Sequence, residues 1–256
     1  MTHTPLKDPS DKLITALEGW TRPRSKHHWK AGRSAMELAR AWLRGGETAC
    51  PEEVRALLDS HDATRGIALK NGRPEHVTPL PERGEGRNHD LWLRGEGPLG
   101  RTTLCIEAKA DEPFGERLGK QIQVARKRQP NTAAAERGRA LLTILFGKDC
   151  NPEAAPWRDL RYQLITGAAG SALQAVTDHS AAAVFIIHEF RGSLISPDKL
   201  VANQADLDAF LAAFQPGSPP LTAGHLVGPI PLPKTALLPA GMPLYVGKAV
   251  TELGGR

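Results

Sequence analysis

Asp90, Glu107 and Lys109 are the residues of this chain whose types and spacing could activate water on a divalent metal ion. Glu107 and Lys109 form an E-x-K triplet at the end of the segment RTTLCIEAK, and Asp90 begins the segment DLWLRG. Both segments have the composition of β-strands. Because side chains alternate along a strand, Glu107 and Lys109 share one face of theirs.

The six residues GEGPLG between these segments are typical of a turn, so we expect an antiparallel hairpin. If Arg94 faces Arg101, Asp90 lies opposite Cys105. Glu107 is then the diagonal neighbour of Asp90, with the two backbones about 7 to 8 Å apart. Two carboxylates at that separation can reach one cation between them.

This arrangement supplies what a metal-dependent phosphodiesterase needs. Two carboxylates are hard oxygen ligands for Mg²⁺, and an ammonium group beside the attacking water can orient it or stabilise developing charge. The alternative is structural: Glu107 and Lys109 would form a charge pair on the solvated face of an edge strand. An E-x-K triplet arises by chance in about half of all chains of this length, so the triplet alone does not decide between the two.

The run HDLWLRGEGPLGRTTLCIEAKADEPFGE resembles the core motif of the PD-(D/E)xK nuclease superfamily, in which an Asp and an ExK triplet lie on adjacent strands. The strings EAKADEPFGE, LRYQL and AAVFIIHEF are also similar to those of a bacterial family assigned to that superfamily. The resemblance implies a restriction-endonuclease-like fold. It also implies that Asp90 and Glu107 bind metal and that Lys109 is the catalytic lysine. His89 stands where the superfamily's name has proline.

Two further acidic positions are candidate metal ligands. Glu37 could be the acid that many superfamily members contribute from a first helix, although its place three residues after Ser34 also fits a capping box. Asp111 and Glu112 follow the triplet. They could bind metal or cap a helix that starts near Phe114, and Glu112 is the reserve ligand of the two.

Gln163 is a further candidate catalytic residue. The resemblance implies that a Gln or Arg from a neighbouring helix holds a phosphate or a metal-bound water, and LRYQL contains Gln163; a packing role for Tyr162 and an exposed salt bridge for Arg161 are the alternatives. Two basic segments could contact phosphates or form solvated faces. They comprise Arg22, Arg24, Lys26, Lys30 and Arg33, and then Lys120, Arg126, Lys127 and Arg128.

The elements that must position these residues follow from periodicity. Helices are predicted after Ser34, over 51–60, over 115–145 with a break at Pro130, and over 157–178. The apolar run AAAVFIIHEF predicts a strand buried on both faces, and a last strand is expected over 244–250. The predicted fold is therefore α/β: one domain with a mixed central sheet flanked by helices, N-terminal helices, a nuclease-like core over 34–190 and a Pro-rich C-terminal extension over 191–256.

Composition limits the classes of function. The 256 residues carry a formal charge of +5, which is compatible with a polyanionic partner. No apolar run reaches the roughly 18 residues of a membrane span, so no membrane partner is expected. Three scattered cysteines form neither a disulfide framework nor a zinc pair, as in a reduced, cytoplasmic protein. Walker, GxSxG and HExxH motifs are absent from the sequence.

These observations predict a nuclease that depends on Mg²⁺ or Mn²⁺ and hydrolyses nucleic acid, with DNA favoured by analogy with the superfamily and a role in defence or repair by the same analogy. Double-strand cleavage would suggest a homodimer. The first alternative is a catalytically silent module that binds nucleic acid or protein. The second is a metal-dependent enzyme for a small substrate, which a closed pocket without basic walls would favour.

Overall fold

The computed structural model describes residues 3–21, 29–44, 46–147, 150–193 and 195–254. It contains both helices and strands, as the sequence predicts for an α/β protein. The helices are α1 (Ser34–Trp42), α2 (Glu52–Asp59), α3 (Leu118–Arg128), α4 (Ala134–Phe146), α5 (Tyr162–Thr177) and α6 (Pro197–Ala212). The strands are β1 (Leu43–Arg44), β2 (Glu47–Thr48), β3 (Ala68–Thr78), β4 (Arg87–Gly97), β5 (Gly100–Lys109), β6 (Ala182–Arg191), β7 (Leu226–Leu232) and β8 (Met242–Glu252).

Six strands form one mixed sheet in the order β3-β4-β5-β6-β8-β7. β3, β4 and β5 pair antiparallel, whereas β5, β6 and β8 run parallel, and β7 closes the sheet antiparallel to β8. Parallel neighbours need a crossover, and α3, α4 and α5 provide it between β5 and β6. The predicted mixed sheet flanked by helices is confirmed.

Hydrophobic cores cover both faces of the sheet. The first contains α1, α2 and the N-terminal segment, and it takes Leu104, Ile106 and Ala108 from β5. The second contains apolar side chains of α3 to α6 and takes Phe185 and Ile187 from β6. Residues 182–190 are buried throughout, as predicted for a strand covered on both faces. None of the helices in the described part of the chain is long and apolar enough to cross a membrane.

The β4–β5 hairpin is tighter than the sequence suggested. Arg94 pairs with Thr103 rather than Arg101, and Gly97 pairs with Gly100 across a two-residue turn. The predicted register was therefore wrong by two residues. Because side chains repeat every two residues along a strand, this shift leaves Asp90 on the predicted side and brings it level with Glu107 instead of diagonal to it.

The C-terminal part of the chain is integral to the sheet, which corrects the predicted division at residue 190. β8 lies between β6 and β7 and is paired with β6 from Leu244 to Glu252. The predicted last strand over 244–250 is confirmed. A core over 34–190 would leave one side of β6 without its partner, so residues 191–256 cannot be treated as an appendage.

Candidate active site

Four of the residues predicted to bind metal or to act in catalysis lie at a cavity of about 750 Å³ at the end of the β4–β5 hairpin. Asp90, Glu107, Lys109 and Gln163 all line it. Its walls are the start of α1, the segment between β3 and β4, and residues of α3, α4 and α5. The structure thus brings the three acid and amine positions of the hairpin to one cavity, together with the glutamine from α5.

Asp90 lies where the ladder between β4 and β5 stops. The last backbone pair is Leu91 with Ile106, and beyond it the Asp90 carboxylate accepts a hydrogen bond from the backbone N–H of Ala108 at 2.7 Å. A side-chain oxygen therefore satisfies a strand N–H that the sheet leaves unpaired. This contact fixes the Asp90 carboxylate beside the residues that flank Ala108, which are Glu107 and Lys109.

The alternation of side chains along β4 changes at the same position. Leu91 packs in the first core, whereas Arg87 and His89 face α5, where a Cβ added to Gly170 would lie 3.0 Å from His89 Nε2. All three numbers are odd, so the strand must switch faces between His89 and Leu91. Asp90 lies at this switch. Because Gly170 has no side chain, α5 can pack closely against Arg87 and His89.

Lys109 connects the hairpin to α5. Its Nζ lies 2.7 Å from Glu107 Oε1 and donates a hydrogen bond to Gln163 Oε1 at 3.0 Å. Burial lowers the pKa of Lys109 to about 8, against the opposing effect of the Asp90 and Glu112 carboxylates. An amine with such a pKa can exchange a proton near neutral pH.

Arg87 is a site residue that the sequence reasoning missed. Its buried guanidinium forms an ion pair with Glu107, which is thereby held between two cations, Arg87 and Lys109. Burial raises the pKa of the Asp90 carboxyl, while Lys109 and then Arg87 oppose this shift. Arg87 precedes the recognisable DLWLRG segment, and only its distance of three residues from Asp90 could have drawn attention to it.

Glu112 lies in the cavity and does not cap a helix, since α3 begins only at Leu118. Its Oε1 accepts a hydrogen bond from Ser34 Oγ, and its buried Oε2 has no hydrogen-bond partner among the described residues. Asp111 points elsewhere: it accepts hydrogen bonds from Ser196 N at 3.2 Å and Lys199 Nζ at 2.7 Å at the start of α6. The reserve ligand of the sequence analysis is therefore brought to the site.

Glu37 is not brought to the site. Its Oε1 accepts hydrogen bonds from Gly32 N at 2.8 Å and Arg40 Nη1 at 3.0 Å, and within the described ranges Glu37 is absent from the cavity wall. Its prediction as a metal ligand has no support in this geometry. The capping box is also not formed, because Ser34 is the first residue of α1 and Arg33 is its N-cap.

A second missed acid, Glu75, lines the cavity from β3. Asn88 donates a hydrogen bond to its carboxylate. Burial, followed by repulsion from Asp90, raises the pKa of Glu75 to about 7. Glu75 also has a φ of +53°, which is unusual for a residue other than glycine. No motif marks it, because its place beside Asp90 depends on the pairing of β3 with β4.

Arg161 and the two basic segments are the remaining residues of the sequence prediction. Arg161 forms a salt bridge with Asp206 at 2.7 Å, as in the structural alternative considered above, although this salt bridge is largely buried rather than exposed. On α3, Lys120, Lys127 and Arg128 are exposed and Arg126 pairs with Glu153. Arg22, Arg24 and Lys26 of the first basic segment lie outside the described residues.

The donor set of the cavity suits Mg²⁺ or Mn²⁺, which prefer carboxylate oxygens. The unpartnered Oε2 of Glu112 is the buried acceptor that a cation would satisfy. Within the described part of the chain, no group of three or more His, Cys, Asp or Glu side chains is close enough to hold an ion as it stands. A metal ion in this cavity would compete with Arg87 and Lys109 for the Glu107 carboxylate.

The comparisons with known proteins place this chain in a family. The model of the family described as Domain of unknown function (DUF6946) matches residues 13–253. The chain belongs to this family. The DUF6946 match extends from before α1 to the end of β8, so it contains every cavity residue described above as well as β7 and β8. No curated protein and no solved structure matches the chain.

Proposed function

We propose that this protein is a metal-dependent nuclease that hydrolyses phosphodiester bonds in nucleic acid, with DNA as the favoured polymer. The observation that carries the proposal is the convergence of Asp90, Glu107 and Lys109 in one cavity from two neighbouring strands. This convergence agrees with the resemblance to the PD-(D/E)xK superfamily, which rests on the same three residues.

Asp90, Glu107 and Glu112 are the residues that would hold Mg²⁺ or Mn²⁺. Such an ion neutralises phosphate charge and makes water more acidic when bound. Lys109, held by Gln163, orients the attacking water and accepts a proton from it through its neutral amine. The water oxygen bonds to phosphorus while the bond from phosphorus to the leaving oxygen breaks. The leaving oxygen takes a proton from solvent and departs as an alcohol.

The cavity wall carries charges of both signs. Its basic residues are Arg83, Arg87, Lys109 and Arg137, and its acidic residues are Glu75, Glu85, Asp90, Glu107 and Glu112. The carboxylates supply oxygens for a metal ion, and the exposed Arg83 supplies a cation for a phosphate. The alternative of a metal-dependent enzyme for a nucleotide or other small substrate called for a closed pocket without basic walls, whereas four basic side chains line this cavity.

One observation favours the second candidate, a catalytically silent module. Glu107 is already neutralised by Arg87 and Lys109, so a metal ion competes with two internal cations for it. If the ion cannot displace either cation, the cavity still presents basic groups to a phosphate but performs no hydrolysis. Binding without cleavage is the outcome that this candidate predicts.

The test is incubation of the purified protein with labelled DNA and RNA oligonucleotides in Mg²⁺ or Mn²⁺. We expect hydrolysis by the natural protein and its loss in Lys109→Ala. Lys70→Ala is the matched control, because Lys70 is exposed near the start of β3, outside the cavity wall. Equal cleavage by Lys109→Ala and the natural protein indicates a contaminant and contradicts the proposal.

A further inference from the structure

Two of the reacting groups are buried in the cavity wall. Glu107 is 2% exposed and Lys109 is 4% exposed. The cavity volume of about 750 Å³ is that of a small-molecule pocket, which holds a few linked rings and no more. A phosphate must therefore enter the cavity to reach Lys109. A large polymer can meet this requirement only where its backbone bends away from the rest of the polymer.

Residues 79–86 between β3 and β4, which we call the roof loop, form one wall of this cavity. Leu80, Arg83 and Gly84 of this loop line the cavity. The roof loop is fastened to α4 by Arg137, whose guanidinium donates hydrogen bonds to the carbonyl oxygens of Arg83 and Glu85.

Arg137, which holds the roof loop, is also bonded to α5. Arg137 Nε donates a hydrogen bond to Tyr162 Oη at 3.1 Å, and Tyr162 is the first residue of α5, next to Gln163. Arg137 itself is buried. The roof loop, α4 and the helix that positions Lys109 are thus joined through one side chain, so the roof loop cannot move away from α4 and α5 without breaking these hydrogen bonds.

We infer, on the basis of the proposed function, that the cavity takes a single nucleic-acid strand and excludes an intact duplex. A flexible strand can bring one phosphate into the cavity as far as Lys109. The paired backbone of a duplex is held against its partner strand, so its phosphate can enter only after local unpairing, which costs a few kcal/mol. A penalty of that size corresponds to a rate difference of about 100-fold.

The experiment compares three substrates of one sequence in Mn²⁺: a single-stranded oligonucleotide, its blunt duplex, and a duplex with an unpaired tail. We expect the single strand to be cleaved about 100-fold faster than the blunt duplex. Cleavage of the tailed duplex is expected within the tail. Internal cleavage of the blunt duplex at a rate similar to that of the single strand overturns this inference and leaves the nuclease proposal standing. Inactivity on all three overturns the proposed function and this inference with it.

Two variants test the role of the roof loop. Arg137→Gln removes its fastening, and Gly84→Ala crowds it, since a Cβ at Gly84 would lie 2.5 Å from Arg137 Nη1. Both should lower the ratio of single-strand to duplex cleavage by about tenfold, because a wider opening reduces the need for unpairing. The control is Arg65→Gln, at an exposed ion pair after α2 and outside the cavity wall. An unchanged ratio in both folded roof variants contradicts the inference.

Discussion

The Asp90 carboxylate accepts a hydrogen bond from the backbone N–H of Ala108 at 2.7 Å, where the ladder between β4 and β5 has just ended. A residue proposed to bind metal thereby also completes the hydrogen bonding of the sheet. Because Ala108 stands between Glu107 and Lys109, this one contact sets the position of Asp90 relative to both. Substitutions at Asp90 can distinguish its structural hydrogen bond to Ala108 from its proposed role in metal binding.

Asp90→Asn and Asp90→Ala should differ in stability and agree in activity. Asparagine keeps an oxygen that can accept the Ala108 hydrogen bond, whereas alanine leaves a buried N–H unsatisfied. We expect Asp90→Ala to lower the free energy of unfolding by about 1–3 kcal/mol relative to Asp90→Asn. Both variants lose hydrolysis because neither provides a carboxylate. Urea unfolding measures the difference, and equal stability of the two variants would argue against the role of this hydrogen bond.

The pH dependence of hydrolysis should follow the Lys109 amine. Its pKa is lowered to about 8 by burial. Below that pH the amine is protonated and cannot accept a proton, so kcat/KM should rise as the pH passes from 7 to 9 and then level off. The Lys109→Arg variant keeps its charge throughout this range and should lack the rise. A profile that is flat, or that falls over the same interval, contradicts the role of Lys109 as base.

Gln163 should act by positioning Lys109. Gln163→Leu removes the acceptor that lies 3.0 Å from Lys109 Nζ and keeps a side chain of similar size. We expect kcat to fall about 10- to 100-fold while KM changes little, since misplacement of a reacting group affects the chemical step. Gln163→Glu retains an acceptor and should recover part of the rate. A large rise in KM with unchanged kcat would instead assign Gln163 to substrate binding.

Glu112 and Glu37 form a matched pair for metal binding. Glu112 lies in the cavity with an unpartnered oxygen, and Glu37 is bonded to Gly32 and Arg40 away from the cavity wall in the described chain. Glu112→Gln should weaken Mn²⁺ binding by at least about tenfold in calorimetric titration, while Glu37→Gln leaves it unchanged. The reverse order would restore Glu37 as the ligand and remove Glu112.

Glu75 should make stability depend on pH. Its pKa is raised to about 7 in the folded protein, from an ordinary value of 4.5, so the folded state binds the extra proton between these values. The stabilisation from this protonation is complete below pH 4.5 and is lost as the pH rises through 7. Relative to Glu75→Gln, the natural protein should lose on the order of 1–3 kcal/mol of unfolding free energy between pH 4.5 and 7.5. Parallel stability profiles for both proteins would contradict this.

The sequence predicted those parts of the fold that depend on local pattern. The hairpin, the buried strand β6, the break between α3 and α4 at Pro130 and the strand β8 all follow from periodicity and turn residues. The position of β8 between β6 and β7 could not be predicted in this way. Strand order depends on long-range pairing, so a strand at the end of the chain looked like an extension although it is an inner strand of the sheet.

The candidate site was predictable to a similar degree. Asp90, Glu107 and Lys109 were predicted to lie together, and the prediction was not affected by the register error because a shift of two residues preserves the face. Arg87 and Glu75 were missed because their approach depends on the switch of faces at Asp90 and on the pairing of β3. Glu37 was named as a ligand from the resemblance alone, which gives no information on the direction of its carboxylate; the structure directs it to Gly32 and Arg40.

The most direct measurement of the central claim is the rate of hydrolysis of a labelled single strand as a function of Mn²⁺ concentration, for the natural protein, Asp90→Asn and Glu107→Gln side by side. We predict a rate that saturates with Mn²⁺ for the natural protein, disappears on addition of a chelator and is absent in both variants, each of which remains folded. Hydrolysis that persists in the chelator, or that survives in either variant at the natural rate, would contradict a metal centre at Asp90 and Glu107.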